Sequence, residues 1–125
     1  MKSLPLLIFS ILSFLGILSY NIPFNQTHSK KQPDPVKIFI KHPGKSVVQF
    51  NSTWNKQNEY KWIPVKGVRY KEIDIDNYPH YRKIYRLHSL PTIIIFNKGK
   101  EIDRYEANIM LKLDIKQQEL QLKLK

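Results

Sequence analysis

Cysteine is absent from the 125 residues, glycine occurs 4 times, and acidic side chains number 10 against 21 Lys and Arg. Without sulfur, the chain cannot form disulfides, thiolate nucleophiles, thiolate zinc sites or iron–sulfur clusters. A lipid anchor attached through cysteine is excluded as well. So few glycines disfavour a phosphate-cradling loop. Arginine is also scarce, at 4 residues to 17 lysines. Specific recognition of phosphates and bases favours the bidentate guanidinium fork, so the net charge of +11 is weak evidence for a nucleic-acid partner. The length accommodates one small domain.

The amino terminus is what the chain has in excess. After Met1, Lys2 and Ser3, no charged residue occurs before the His28 to Lys30 stretch, and Leu4 to Tyr20 is almost wholly apolar. Extended to Phe24 the run is 21 residues, about 32 Å as a helix and close to the thickness of a hydrocarbon core. Ile17-Leu18-Ser19 puts a large residue where signal-peptide cleavage wants a small one. Residues 1–24 are therefore read as an uncleaved single-pass anchor, with a secreted domain as the outcome if the segment is removed. Lys30, Lys31, Lys37 and Lys41 after the run argue for a cytoplasmic domain. The short N-terminal flank with Lys2 argues for export, and the extracytoplasmic side is preferred.

Residues 25–35, ending in Pro33-Asp34-Pro35, form a polar linker, and 36–125 form the domain. Val36 to Ile40 and Val47 to Phe50 read as strands separated by the turn residues His42-Pro43-Gly44. Val68 to Ile75 alternates as a strand does. Asn77-Tyr78-Pro79 opens a helix expected to run to Arg86, with Tyr81, Ile84 and Tyr85 at helical spacing. Thr92 to Phe96 reads as a central strand and Glu101 to Ala107 as its hairpin partner. Leu111 to Ile115 reads as a strand extension, followed by a helix from Lys116.

These residues, taken together, resemble a family. Val47-Val48-Gln49-Phe50-Asn51-Ser52-Thr53-Trp54-Asn55-Lys56-Gln57-Asn58 aligns without a gap to the thioredoxin active-site segment V-V-D-F-W-A-T-W-C-G-P-C. Ile73 to Pro79, Tyr85 and Ser89-Leu90-Pro91-Thr92 are similar to the family's next strand, helix and cis-proline loop. Ile93 to Phe96 with Lys98-Gly99-Lys100-Glu101 is similar to its terminal hairpin. The resemblance spans Ser46 to Ala107. It implies an α/β thioredoxin-like fold: a central mixed sheet flanked by helices, small and partly truncated, preceded here by the N-terminal hydrophobic helix.

The departures from the pattern bear on function. Asn55 and Asn58 stand at the two cysteine positions, Lys56-Gln57 lie between them, and Gln49 replaces the buried carboxylate. An amide neither ionises near neutral pH nor forms a mixed disulfide, so thiol–disulfide chemistry is excluded. The resemblance implies a helix N-terminus at Asn55, where the side chain would cap exposed N–H groups. It also implies a rim position for Trp54, a partly exposed Asn58 and a cis bond before Pro91. The backbone of Leu90, Pro91 and Thr92 would then remain available to an extended peptide. The family's first helix is expected to be missing, and the helix after Asn55 is expected to be short, about Lys56 to Trp62, with Pro64 ending it.

Other constellations carry less. His28, His42, His80 and His88 lack metal-ligand spacing, and no cofactor is expected. Asp74 and Asp76 share one side of a strand and are read as marking its end rather than as an acid–base pair. The tyrosines at 70, 78, 81 and 85 are read as packing. The expectation is a membrane-attached, non-enzymatic domain that binds an unidentified protein or peptide through Trp54, Leu90, Pro91 and Thr92. The alternative is a basic module for a membrane surface or nucleic acid.

Overall fold

The computed structural model describes residues Pro33–Lys125. The predicted anchor, Leu4 to Phe24, and most of the predicted linker lie outside the described residues. Among those described, no helix is long and apolar enough to cross a membrane.

The described chain opens with a helix, α1 (Pro35–Ile40), where the β-branched run Val36 to Ile40 predicted a strand. Capping overrides propensity here. Asp34 Oδ1 accepts from the N–H groups of Val36 (2.9 Å) and Lys37 (3.2 Å), and Pro35 sits in the first turn, where its missing donor costs nothing. The helix expected to be missing before Val47 is thus present in short form. Val36 and Ile40 anchor it in the core, and the Tyr81 hydroxyl donates to Asp34 at 2.5 Å.

Four strands follow: β1 (Lys45–Asn51), β2 (Arg69–Asp74), β3 (Thr92–Asn97) and β4 (Lys100–Glu106). They form a mixed sheet in the order β2-β1-β3-β4, with β1 parallel to β2 and antiparallel to β3. β3 and β4 make an antiparallel hairpin with a bulge between Ile95 and Phe96. Its turn places Lys98 and Gly99 at φ of 51° and 83°, as a tight two-residue connection requires.

Strand alternation splits the apolar residues between two faces. Val48, Phe50, Ile73, Ile94 and Phe96 face α1 and a short helix, α2 (Tyr81–Ile84), whose Tyr81 and Tyr85 pack around Phe50. The regular helix is shorter than the predicted Pro79 to Arg86, whose ends are turns closed by bonds such as Arg82 N to the Pro79 carbonyl and Arg86 N to the Lys83 carbonyl. Val47, Ile93 and Ile95 face the C-terminal helix α3 (Gln117–Leu124) through Leu120 and Leu124. Leu111 to Ile115, expected to extend a strand, is irregular.

A parallel pair needs a crossover, normally helical. The crossover between β1 and β2 is instead a 3-10 segment, Thr53–Asn58, followed by irregular chain to Val68. The predicted helix Lys56 to Trp62 therefore ends earlier and is wound more tightly. Side chains cover the sheet in place of a helix: Tyr60, Trp62 and Val65 pack on the Val47 face, and Trp62 stacks on Tyr70 at 4.7 Å with parallel rings.

Candidate functional site

Three segments converge at the C-terminal ends of β1 and β2: the 3-10 segment, the loop ahead of β3 and the loop after β4. Asn55 joins them. It is fully buried, and its Nδ2 donates to the Leu90 carbonyl (3.1 Å), to Asn51 Oδ1 (3.3 Å) and to the Leu111 carbonyl (3.4 Å). Its Oδ1 accepts from Asn58 Nδ2 at 2.7 Å, and its carbonyl accepts from Asn51 Nδ2 at 3.1 Å. The predicted N-cap role is not what the structure shows. The capping position is Ser52, and Asn55 lies within the segment as a bridge between loops. Asn58 is half-buried and holds Asn55 in orientation.

The Leu90–Pro91 peptide bond is cis. Leu90, Pro91 and Thr92 are all buried, so their side chains are not on the surface. The Leu90 carbonyl, one of the atoms an added strand would use, already accepts from Asn55. These three residues form the floor of the junction: Ala107 N donates to the Pro91 carbonyl (3.1 Å), and Ser89 Oγ donates to the Ala107 carbonyl (3.1 Å).

Gln49 replaces a carboxylate with an amide whose two ends are both matched. Its Oε1 accepts from Tyr60 N at 2.8 Å, and its Nε2 donates to the Tyr60 carbonyl at 2.9 Å and to the Tyr70 hydroxyl. The amide pins the irregular crossover to β1 as a neighbouring strand would. A carboxylate could satisfy the Tyr60 N–H but would face the Tyr60 carbonyl lone pairs unprotonated. Burial pushes the Tyr70 hydroxyl well above its ordinary range, and the hydroxyl donates to Glu72 at 3.1 Å.

Asp74 and Asp76 tether the start of the 3-10 segment. Ser52 Oγ donates to both Asp76 oxygens (2.7 Å each), Thr53 N donates to Asp76 (3.1 Å), and Thr53 Oγ1 donates to Asp74 (2.6 Å). The bonds from Ser52 and Thr53 hold the Asp76 carboxyl below the usual carboxylate range. A cavity of about 280 Å³ opens alongside, lined in part by Lys56, Glu59, Glu72 and Asp74. Its carboxylates compete: hydrogen bonding to Glu72 raises Glu59, with burial and repulsion from Glu72 acting in the same direction.

Three large apolar side chains are exposed at the junction. Trp54 is 56% exposed, Ile109 97% and Met110 68%. The last two crown a loop that sequence reasoning missed, because it left residues 108–110 unassigned and read Leu111 to Ile115 as a strand extension. Asn108 fixes that loop. Its Oδ1 accepts from the N–H groups of Met110 (2.8 Å) and Lys112 (3.2 Å), and its Nδ2 donates to Asp114 (2.8 Å). Leu111 is held at φ 60°, left-handed backbone that a leucine rarely adopts. Asn108, followed by unpatterned apolar residues, was the available signal, since Asn favours such local hydrogen-bonded turns. Lys56 and Gln57 are exposed, and among the described residues no cluster of His, Asp and Glu could hold a metal ion.

Solved structures with the same architecture include thioredoxins and a designed protein. A thioredoxin variant from Halobacterium salinarum superposes with a TM-score of 0.54 at 14% identity, covering 71% of this chain and 79% of that one. A Malassezia sympodialis thioredoxin gives 0.53 at 18% identity, over 71% and 79%. A designed protein gives 0.52 at 16% identity, over 70% and 86%. No protein-family profile matches the chain, and no curated protein sequence does. The chain has a thioredoxin-like fold and lacks the active-site cysteines.

Proposed function

We propose that this chain is a membrane-anchored, non-redox binding module. On this reading it takes an apolar stretch of a partner protein on the surface made by Trp54, Ile109 and Met110, anchored by Leu4 to Phe24. The supporting observation is the contrast at the junction. Every polar group of Asn55 is consumed inside, while three large apolar side chains face solvent on the segments it joins. Exposed aromatic and Met side chains on a fixed frame suit protein recognition, since they bury large areas at low ordering cost. Leu90, Pro91 and Thr92 act as the support of this surface.

The test is a crosslinking pulldown of the full chain from its membranes, comparing Trp54→Ala and the pair Ile109→Asp with Met110→Asp against the unaltered chain. Partners lost in both variants and retained in high salt support the reading. Partners that survive both substitutions contradict it, and partners lost only in salt favour a basic docking surface instead.

A further inference from the structure

Four cations lie on α1 and the adjoining part of β2, and none has an acidic partner among the described residues. The helix turns Val36 and Ile40 into the core and leaves Lys37, Ile38 and the C-cap Lys41 exposed. Beside them lies Phe39. The Arg69 guanidinium sits 4.4 Å from its ring centroid and Lys71 Nζ sits 5.7 Å away, so β2 delivers two further charges to the flank of the helix. Ion pairs among the described residues are made by Arg104 and Lys123, with Glu101, Glu106 and Asp103. Asp34, the acidic residue adjoining this helix, is turned inward to cap it and to accept from Tyr81. The 32 residues before Pro33 contain no Asp or Glu to neutralise the patch.

An exposed isoleucine, 57% accessible, stands among these cations. That combination suits the boundary of a lipid bilayer, where an apolar side chain sits below the headgroups and cations sit among the phosphates. Three of the four are lysines, which suits diffuse attraction to a charged surface more than bidentate recognition of single phosphates. The preceding sequence sets the distance. Ten residues separate Phe24 from Pro35, and they include Lys30 and Lys31. A stretch of that length reaches at most about 35 Å when fully extended. α1 is the first described element after the hydrophobic run.

We infer that the face formed by Lys37, Ile38, Lys41, Arg69 and Lys71 docks on an anionic bilayer and lays the domain against the membrane. The inference rests on the anchored reading proposed above, and the experiment separates the two. The chain lacks cysteine, so Ile38→Cys introduces a single labelling site for an environment-sensitive fluorophore, with Ile109→Cys as the reference position. Each full chain is reconstituted into phosphatidylcholine vesicles, with and without phosphatidylglycerol, carrying a nitroxide-labelled lipid.

The expected result is co-flotation with both vesicle types and quenching at position 38 at least two-fold greater in the anionic ones. That excess disappears with Lys37→Glu plus Lys41→Glu, or when salt shortens the Debye length to about 3 Å. Position 109 shows no such excess. Failure to float on either vesicle overturns the anchor and the docking together. Flotation with equal quenching at position 38 in neutral and anionic vesicles overturns the docking alone. Release of the label from the bilayer by a single-stranded oligonucleotide, but not by a neutral polymer, reassigns the face to nucleic acid and also overturns it.

Discussion

Replacing Asn55 by alanine strips a buried donor from the Leu90 carbonyl and leaves that oxygen without the partner it has here. The expected cost is about 1–3 kcal/mol in chemical unfolding, because an orphaned buried acceptor loses more than a hydrogen bond contributes on balance. Gln49→Glu makes a sharper prediction, since shape is nearly conserved and only the donor is lost. Burial raises the pKa of the introduced carboxyl above its unfolded value, so the variant gains stability as pH falls through that raised pKa. Urea midpoints at pH 5 and pH 8 would show the larger deficit at the higher pH. Asp76 behaves in the opposite sense. Its lowered pKa stabilises the fold above the unfolded value near 3.8, and the stabilisation is lost as pH falls through the folded value. Asp76→Asn therefore flattens the acid limb of the stability profile. These roles were half legible in sequence. The alignment marked positions 49, 55 and 58 and strand parity marked 74 and 76, but only the atoms around each side chain show which groups it joins.

At the scale of elements, the four strands were readable because alternation and apolar runs report burial directly, as in Thr92 to Phe96. α1 was misread because Val36-Lys37-Ile38-Phe39-Ile40 carries β-branched residues, while the deciding signals, Asp34 as cap and Pro35 in the first turn, lie just before it. The Asn108 loop was invisible for a related reason. Its conformation rests on the Asn108 side chain bonding to residues two and four positions on, together with backbone bonds from Asn108 to Lys112 and from Leu111 to Asn108, a pattern without periodicity. Asn108→Ala should leave global stability within about 1 kcal/mol of the parent. Amide exchange at Met110 and Lys112 should nevertheless speed up several-fold, because their N–H groups lose the Oδ1 acceptor. Partner capture should weaken in step, since a mobile loop must be ordered on binding.

For the molecule as a whole, the fold persists where the chemistry does not. Thiol exchange needs a sulfur nucleophile, whereas the sheet order and the proline loop depend on packing and backbone hydrogen bonds. In this chain amides occupy the positions of ionisable groups, and those of Gln49 and Asn55 join separate segments. The recognition role proposed above rests on the apolar side chains that the joined segments display. The most direct measurement places a photo-crosslinking amino acid at Ile109, and separately at exposed Leu122 on α3, in the full chain in its own membranes. The account predicts a salt-resistant adduct at position 109 that Trp54→Ala abolishes, with none at position 122. Equal adducts at the two positions, or an adduct at 109 that Trp54→Ala leaves intact, would contradict it.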